Sequence, residues 1–369
     1  MVVGIGYGYE SKCQTCLDPN SNGIRNMIQI IVLGVISHGK KADSFISENI
    51  TSVHKYSPLE WLGYFDQEDD VSIPGSNDVF HVYMAGSEGP VVFCLHGGGY
   101  SGLSFALSAS KIKEKARVVA MDLRGHGKSS TENDLCLSIE TLCNDVLAVL
   151  KTMYGDSPPA IVLVGHSMGG SVAIHVAAKK AIPSLAGMMV VDVVEVLLFS
   201  GRVVAMERFY NRNSNLVEWS VKGGSLRNIE SARLSIPSTL KYDDSKNCYI
   251  YRTQLEETEQ YWRGWYEGLS EKFLSCPVPK ILLLAGTDRL DRSLTIGQMQ
   301  GKFQMVVVRH TGHAIQEDVP DEFATLVLNF ISRNRIGPHG IEVGSLAYMK
   351  DTCCLQIYAG GEPASNNWR

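Results

Sequence analysis

The 369-residue chain has no long block of lysine and arginine: 34 basic against 39 acidic residues leave a formal charge of -5 at pH 7. Binding a nucleic-acid backbone takes clustered cations that displace counterions, so that class is set aside. A membrane-length apolar run is missing as well. The one candidate, Ile28 to Ile36, is about half of the roughly 20 residues that span a bilayer. It also begins too far in, after a polar stretch, for an ordinary signal peptide. No transmembrane helix and no membrane partner are expected. The nine cysteines are odd in number and follow no framework, which excludes a disulfide-stapled scaffold and fits a reducing compartment, the cytoplasm with the nucleus as a further one. Cys13-x-x-Cys16 lacks a second Cys or His pair at ligand spacing, and no metal or cofactor is expected. Internal repeats are absent.

With 44% hydrophobic and 20% charged residues, the composition is that of a soluble globular protein with a sizeable core. Residues 1–54 are rich in Gly, Ser and Asn without sustained periodicity, and are expected to form a poorly ordered leader. From Tyr56 onward short apolar runs recur: Val79 to Ala85, Pro90 to Leu95, Arg117 to Leu123, Ala160 to Val164, Met188 to Val194, Lys280 to Ala285 and Gln304 to Val308. Unbroken apolar strands separated by helical spacing predict an α/β domain over 55–338, with a mostly parallel central sheet flanked by helices on both faces. Between about 195 and 275 the rhythm lapses, and charges mingle with Trp219, Trp262 and Trp265. That interval is expected to be a helical cap insertion over the sheet edge. Residues 339–369 read as an irregular C-terminal tail.

Gly165-His166-Ser167-Met168-Gly169 matches G-x-S-x-G, placed after the strand ending at Val164 and before helix-like Ser171 to Lys180. A sharp strand-to-helix turn would lift the Ser167 hydroxyl above the sheet, at a helix N-terminus that favours developing negative charge. A plain helix cap at a glycine-rich turn is the alternative. His96-Gly97-Gly98-Gly99 follows another strand, where glycines let backbone N–H groups approach a substrate oxygen. The oxyanion hole is assigned to the N–H groups of Met168 and Gly98, with Gly99 as a further candidate. The spacing matches neither the phosphate loop nor the dinucleotide fingerprint.

A serine hydroxyl needs a base within hydrogen-bond reach and an acid that orients the base. His313 lies just past the last strand in a small-residue loop, ahead of a helix over Asp321 to Ser332. It is preferred to His310, which is closer to the strand end and lacks the preceding glycine. Two acids stay open: Asp288 after the penultimate strand, toward which pattern alone leans slightly, and Asp192 at the end of the strand after the nucleophile helix. The Asp122-to-Gly127 loop is expected to shape the site's edge, with His126 an outside candidate for a second base. Cys136 and Cys143, at helical spacing, are expected to pack inward.

Taken together these residues resemble the α/β-hydrolases, and from about Tyr56 to Pro338 the chain is similar to the protein phosphatase methylesterases. The likeness is carried by Gly86 to Pro90 (G-S-E-G-P), Leu95 to Gly99 (L-H-G-G-G), Gly165 to Gly170 (G-H-S-M-G-G), Asp192 to Glu195 (D-V-V-E), Glu218 to Lys222 (E-W-S-V-K) and Arg227 to Arg233 (R-N-I-E-S-A-R). The blocks Leu282 to Asp291 and Leu294 to Met305 are specific to that family. The resemblance implies an α/β-hydrolase fold and a triad of Ser167, Asp192 and His313, which replaces the lean toward Asp288. It also implies a substrate: the methyl-esterified C-terminal leucine of the protein phosphatase 2A catalytic subunit, taken as an extended peptide. Val196 to Asn213 departs from the family pattern directly after Glu195. A phosphatase-binding protein without turnover and a general small-ester hydrolase are the alternatives.

Overall fold

The computed structural model describes residues 55–193, 216–245, 248–286 and 290–342. The leader with Cys13, Cys16 and Ile28 to Ile36, the divergent stretch 196–213, the alternative acid Asp288, and all of the tail beyond 342 lie outside the described residues. The described residues of 56–241 and 250–342 form one compact unit, and those of 242–249 belong to a second. In the second, the Tyr242 and Tyr249 rings meet edge to face with centres 5.3 Å apart.

The first unit is built on eight strands: β1 (Gln67–Ser72), β2 (Val79–Ala85), β3 (Val91–Leu95), β4 (Arg117–Met121), β5 (Ile161–His166), β6 (Leu185–Val191), β7 (Lys280–Leu284) and β8 (Gln304–Val307). They lie side by side in the order β1-β2-β4-β3-β5-β6-β7-β8. From β4 to β8 every pairing is parallel, while β1 and β2 are antiparallel at one edge. Every residue of β3, β5 and β7 is buried. Successive side chains face opposite ways, so Val91, Phe93, Leu95, Ile161 and Leu163 pack into one core and Val92, Cys94, Val162 and Val164 into another. This two-sided burial is why the strands read as continuous apolar runs.

Helices cover both faces. On one side are α1 (Ala106–Ile112) and, at the chain's end, Pro320–Arg333; on the other are α2 (Ile139–Tyr154) and α3 (Met168–Lys179). The interval expected to be a cap holds α4 (Leu216–Lys222), α5 (Ile229–Ser238), a short ribbon over 240–251, α6 (Glu259–Tyr266) and α7 (Leu269–Ser275). Of these, α6 through Trp265 and Tyr266, and α7 through Leu269 and Phe273, share the core of α3. Helix α8 (Arg292–Met299) and the single turn α9 (Ile315–Asp318) precede Pro320–Arg333, hereafter α10.

Two findings differ from the sequence reading. Strand β1 was not anticipated: its sequence Q-E-D-D-V-S buries only Val71, and backbone pairing with β2 rather than apolar periodicity holds it. Cys143 does pack inward, but Cys136 is half-buried and lies before α2, whose N-cap is Ser138, with its thiol 3.5 Å from Thr141 Oγ1. The helix starts too late to carry both.

Candidate active site

Strand β5 ends at His166 and α3 begins at Met168, so Ser167 is the one residue between them. Its backbone stands at φ 51° and ψ -119°, a region that L side chains seldom occupy. The turn closes only because two neighbours lack side chains. A Cβ on Gly165 would collide with the Gly169 carbonyl, and one on Gly169 with the carbonyls of Leu95 and His96. Those collisions account for the G-x-S-x-G spacing. The Ser167 N–H donates to Val191 O at 3.0 Å, which ties the corner to β6. Unlike the N-cap serines Ser101 and Ser138, Ser167 makes no side-chain capping bond to its helix. The hydroxyl is thus not spent on the plain helix cap that the sequence left open.

One residue beyond β6, Asp192 also has a positive φ, 50°. Its side chain is fully buried and its Oδ2 accepts from His313 Nδ1 at 2.7 Å. Oδ1 accepts from the Ala285 N–H at 3.2 Å. With Nδ1 donating to a carboxylate, the other ring nitrogen of His313 is left as a proton acceptor. His313 itself is 35% exposed, open enough to meet a substrate. The His313 loop is held from below: Asp318 accepts from the N–H groups of Gly312 (2.6 Å) and Arg227 (2.7 Å). His310 is exposed, at φ 63°, and has no part in this arrangement.

Of the proposed oxyanion donors, Met168 opens α3, where the first N–H groups of a helix have no intrahelical partner. Gly98 faces it, close enough that a Cβ there would stand 3.7 Å from Met168 Sδ. Gly99 is otherwise engaged: its N–H donates to His126 Nε2 at 2.9 Å. His126 donates from Nδ1 to Arg124 O at 2.8 Å, and His96 repeats the pattern, donating to Gly97 O (2.8 Å) and accepting from Leu123 N–H (2.9 Å). Each ring needs one protonated and one bare nitrogen to do this, so both are neutral. Burial pushes His126 down to about 4 and His96 well below the usual imidazole range. His126 therefore stitches the loop of Gly99 to that of Arg124 and is no second base.

Three residues that sequence reasoning passed over also stand here. His166 donates from Nε2 to the His313 carbonyl at 2.9 Å, with ring centres 4.7 Å apart, and burial beside His313 lowers it to about 3. Glu317 is fully buried, accepts from Ser235 Oγ at 2.5 Å, and is pushed by burial up to about 8. Tyr266 is buried at the end of α6, in the core that α6 shares with α3. Only the position of His166 inside the elbow motif gave a local signal.

A sequence model of the alpha/beta hydrolase family matches residues 91–326. "Protein phosphatase methylesterase 1" from Bos taurus and from Homo sapiens are each 42% identical over 332 residues, covering 76% of this chain and 87% and 86% of theirs. "Probable protein phosphatase methylesterase 1" from Caenorhabditis elegans is 43% identical over 310 residues, covering 82% of this chain and 84% of its own. Among solved structures, E-2-(acetamidomethylene)succinate hydrolase superposes with a TM-score of 0.61 at 17% identity, over 72% of this chain and 99% of that one. The thioesterase domain from the curacin biosynthetic pathway gives 0.57 at 20%, over 71% and 99%. At those identities the likeness is one of fold.

Proposed function

The chain belongs to the protein phosphatase methylesterases, within the alpha/beta hydrolases, and is a carboxylic ester hydrolase; from that premise we propose that its substrate is the methyl ester on the C-terminal leucine of a protein phosphatase 2A catalytic subunit. Ser167 is the nucleophile in this reading, His313 the base and Asp192 the acid that orients it. His313 takes the Ser167 proton as Oγ attacks the ester carbonyl, and the oxyanion is received by the N–H groups of Met168 and Gly98. His313 then returns the proton to the departing methoxide, releasing methanol and leaving the peptide acylated on Ser167. Water, deprotonated by the same imidazole, attacks the acyl carbon and frees the carboxylate.

The observation that carries this reading is the buried Asp192 bonded at 2.7 Å to His313, one residue past the strand that neighbours the Ser167 corner. The chain order Ser167, Asp192, His313 is that of an α/β-hydrolase triad. The bond supports Asp192 as the acid, as the family resemblance implied. Methylated phosphatase is incubated with the protein, and the tail is followed by mass. Loss of the methyl group with wild type and its retention with Ser167→Ala is the expected result. Binding without loss of the ester would mean a sequestering protein, and cleavage of p-nitrophenyl esters alone a general small-ester hydrolase.

A further inference from the structure

We propose that His166 is a positioning residue for the reaction: the hydrogen bond from its Nε2 to the His313 carbonyl fixes the catalytic base at working distance from Ser167, the next residue in the chain. This rests on the serine mechanism above and gives a task to the elbow position between Gly165 and Ser167, which the triad leaves unassigned.

His166 closes β5 and is fully buried. Side chains alternate along a strand, so it emerges on the face of Val162 and Val164, where Ile315, just past His313 in the chain, also packs. From there Nε2 bonds the His313 carbonyl at 2.9 Å, a link across 147 positions. The ring lies between two others. The Tyr100 ring meets it edge to face with centres 5.1 Å apart, and the His313 ring stands 4.7 Å away at 52°. On its Nδ1 side the oxyanion loop closes tightly, since a Cβ on Gly97 would stand 2.9 Å from His166 Nδ1 and 3.2 Å from Ser167 Cβ. Nδ1 itself is buried with no hydrogen-bond partner among the described residues.

This geometry fixes the ring's proton. A carbonyl only accepts, so Nε2 carries the hydrogen and Nδ1 is bare. Burial beside His313 pushes the imidazole down to about 3, so His166 stays neutral and sets no second cation against the imidazolium that His313 becomes on taking the serine proton. The base is then restrained at three points: its Nδ1 by Asp192, the N–H of the preceding Gly312 by Asp318, and its own carbonyl by His166. The first two leave the loop free to tilt about the line that joins them, which would swing His313 Nε2 toward or away from Ser167 Oγ. The third removes that tilt, and does so from the residue peptide-bonded to the nucleophile. His166 transfers no proton in this role. A base acts only within about 2.6 to 3.2 Å of the group whose proton it takes, and a misplacement of about 1 Å can cost about 10²-fold in rate.

The test compares His166→Gln, His166→Asn and His166→Phe on a p-nitrophenyl ester, with rates normalised to the serines that a fluorophosphonate labels at completion. A glutamine amide N–H reaches about as far as the imidazole Nε2, an asparagine amide stops short, and phenylalanine keeps a ring without the donor. His166→Gln should stay within about threefold of wild type, while kcat falls about 10- to 100-fold in the other two with KM within about twofold. Loss of stability alone would lower the number of labelled serines and leave kcat per site unchanged, and that result overturns the proposal. So does an equal fall in all three variants, which would assign the effect to ring packing rather than to the bond. In the wild-type protein, long-range nitrogen-proton NMR correlations should show His166 protonated on Nε2; protonation on Nδ1 overturns the proposal without any variant. Ser167→Ala runs alongside: turnover there sinks the serine mechanism and this role with it, whereas an inert Ser167→Ala beside undiminished His166→Asn and His166→Phe sinks only the role of His166.

Discussion

Asp192→Asn isolates the electrostatic half of the site. The two side chains are nearly equal in volume, and an asparagine oxygen can still accept the Ala285 N–H that Asp192 Oδ1 accepts at 3.2 Å. What changes is the atom facing His313 Nδ1, 2.7 Å away. An amide NH2 there is a donor, so Nδ1 must accept and the ring proton moves to Nε2. Nε2 then cannot take a proton from Ser167. Wrong-tautomer substitutions in other Ser-His-Asp enzymes lower kcat by about 10⁴. A loss of about 10³- to 10⁴-fold is expected here, or roughly 4 to 5.5 kcal/mol in the barrier. Folding loses only a charge-assisted bond, about 2 kcal/mol, so Tm should drop by about 3 °C in a domain of this size. Initial rates on a p-nitrophenyl ester and a thermal melt are measured for Asp192→Asn and Asp288→Asn. Asp192→Asn within tenfold of wild type, with Asp288→Asn inactive, would overturn the assignment.

Two further outcomes follow from buried titratable groups. Glu317 is raised from 4.5 to about 8, chiefly by burial, so the fold favours its protonated form. Its stabilisation is fully present below pH 4.5 and is lost as pH rises through 8. Glu317→Gln cannot ionise and should gain on wild type between pH 5 and pH 9, by roughly 4 kcal/mol at most; parallel denaturation midpoints for the two proteins would refute this. His96, His126 and His166 are all depressed, the last two to about 4 and about 3, so their contribution is present above pH 6.5 and lost as pH falls toward 3. Three protons taken up on unfolding give a slope of about 4 kcal/mol per pH unit at the steepest. Urea midpoints that stay flat from pH 7 to pH 4 would contradict neutral, buried rings.

How much could be foreseen depended on how local each feature is. The elbow was legible because Gly165 and Gly169 answer to collisions within a few residues of Ser167. The parallel strands were legible because burial on both faces leaves no polar position in runs such as Val91 to Leu95. Strand β1 was not, since an exposed acidic edge carries no apolar period. Asp192 sits at the end of an apolar run with nothing local to mark it as the acid; its positive φ and its bond to a residue 121 positions away are properties of the folded chain. Pattern alone therefore leaned toward Asp288. His126 looked like a candidate base until its two nitrogens were seen to be committed to Gly99 and Arg124.

The most direct test of the central claim is where a covalent adduct forms. The protein is treated with a fluorophosphonate, digested, and mapped by mass. An activated serine should give one adduct, on Ser167, formed rapidly by wild type, slowly by Asp192→Asn and not at all by Ser167→Ala. An adduct on another residue, or labelling of Ser167→Ala at the wild-type rate, would contradict the account of this site.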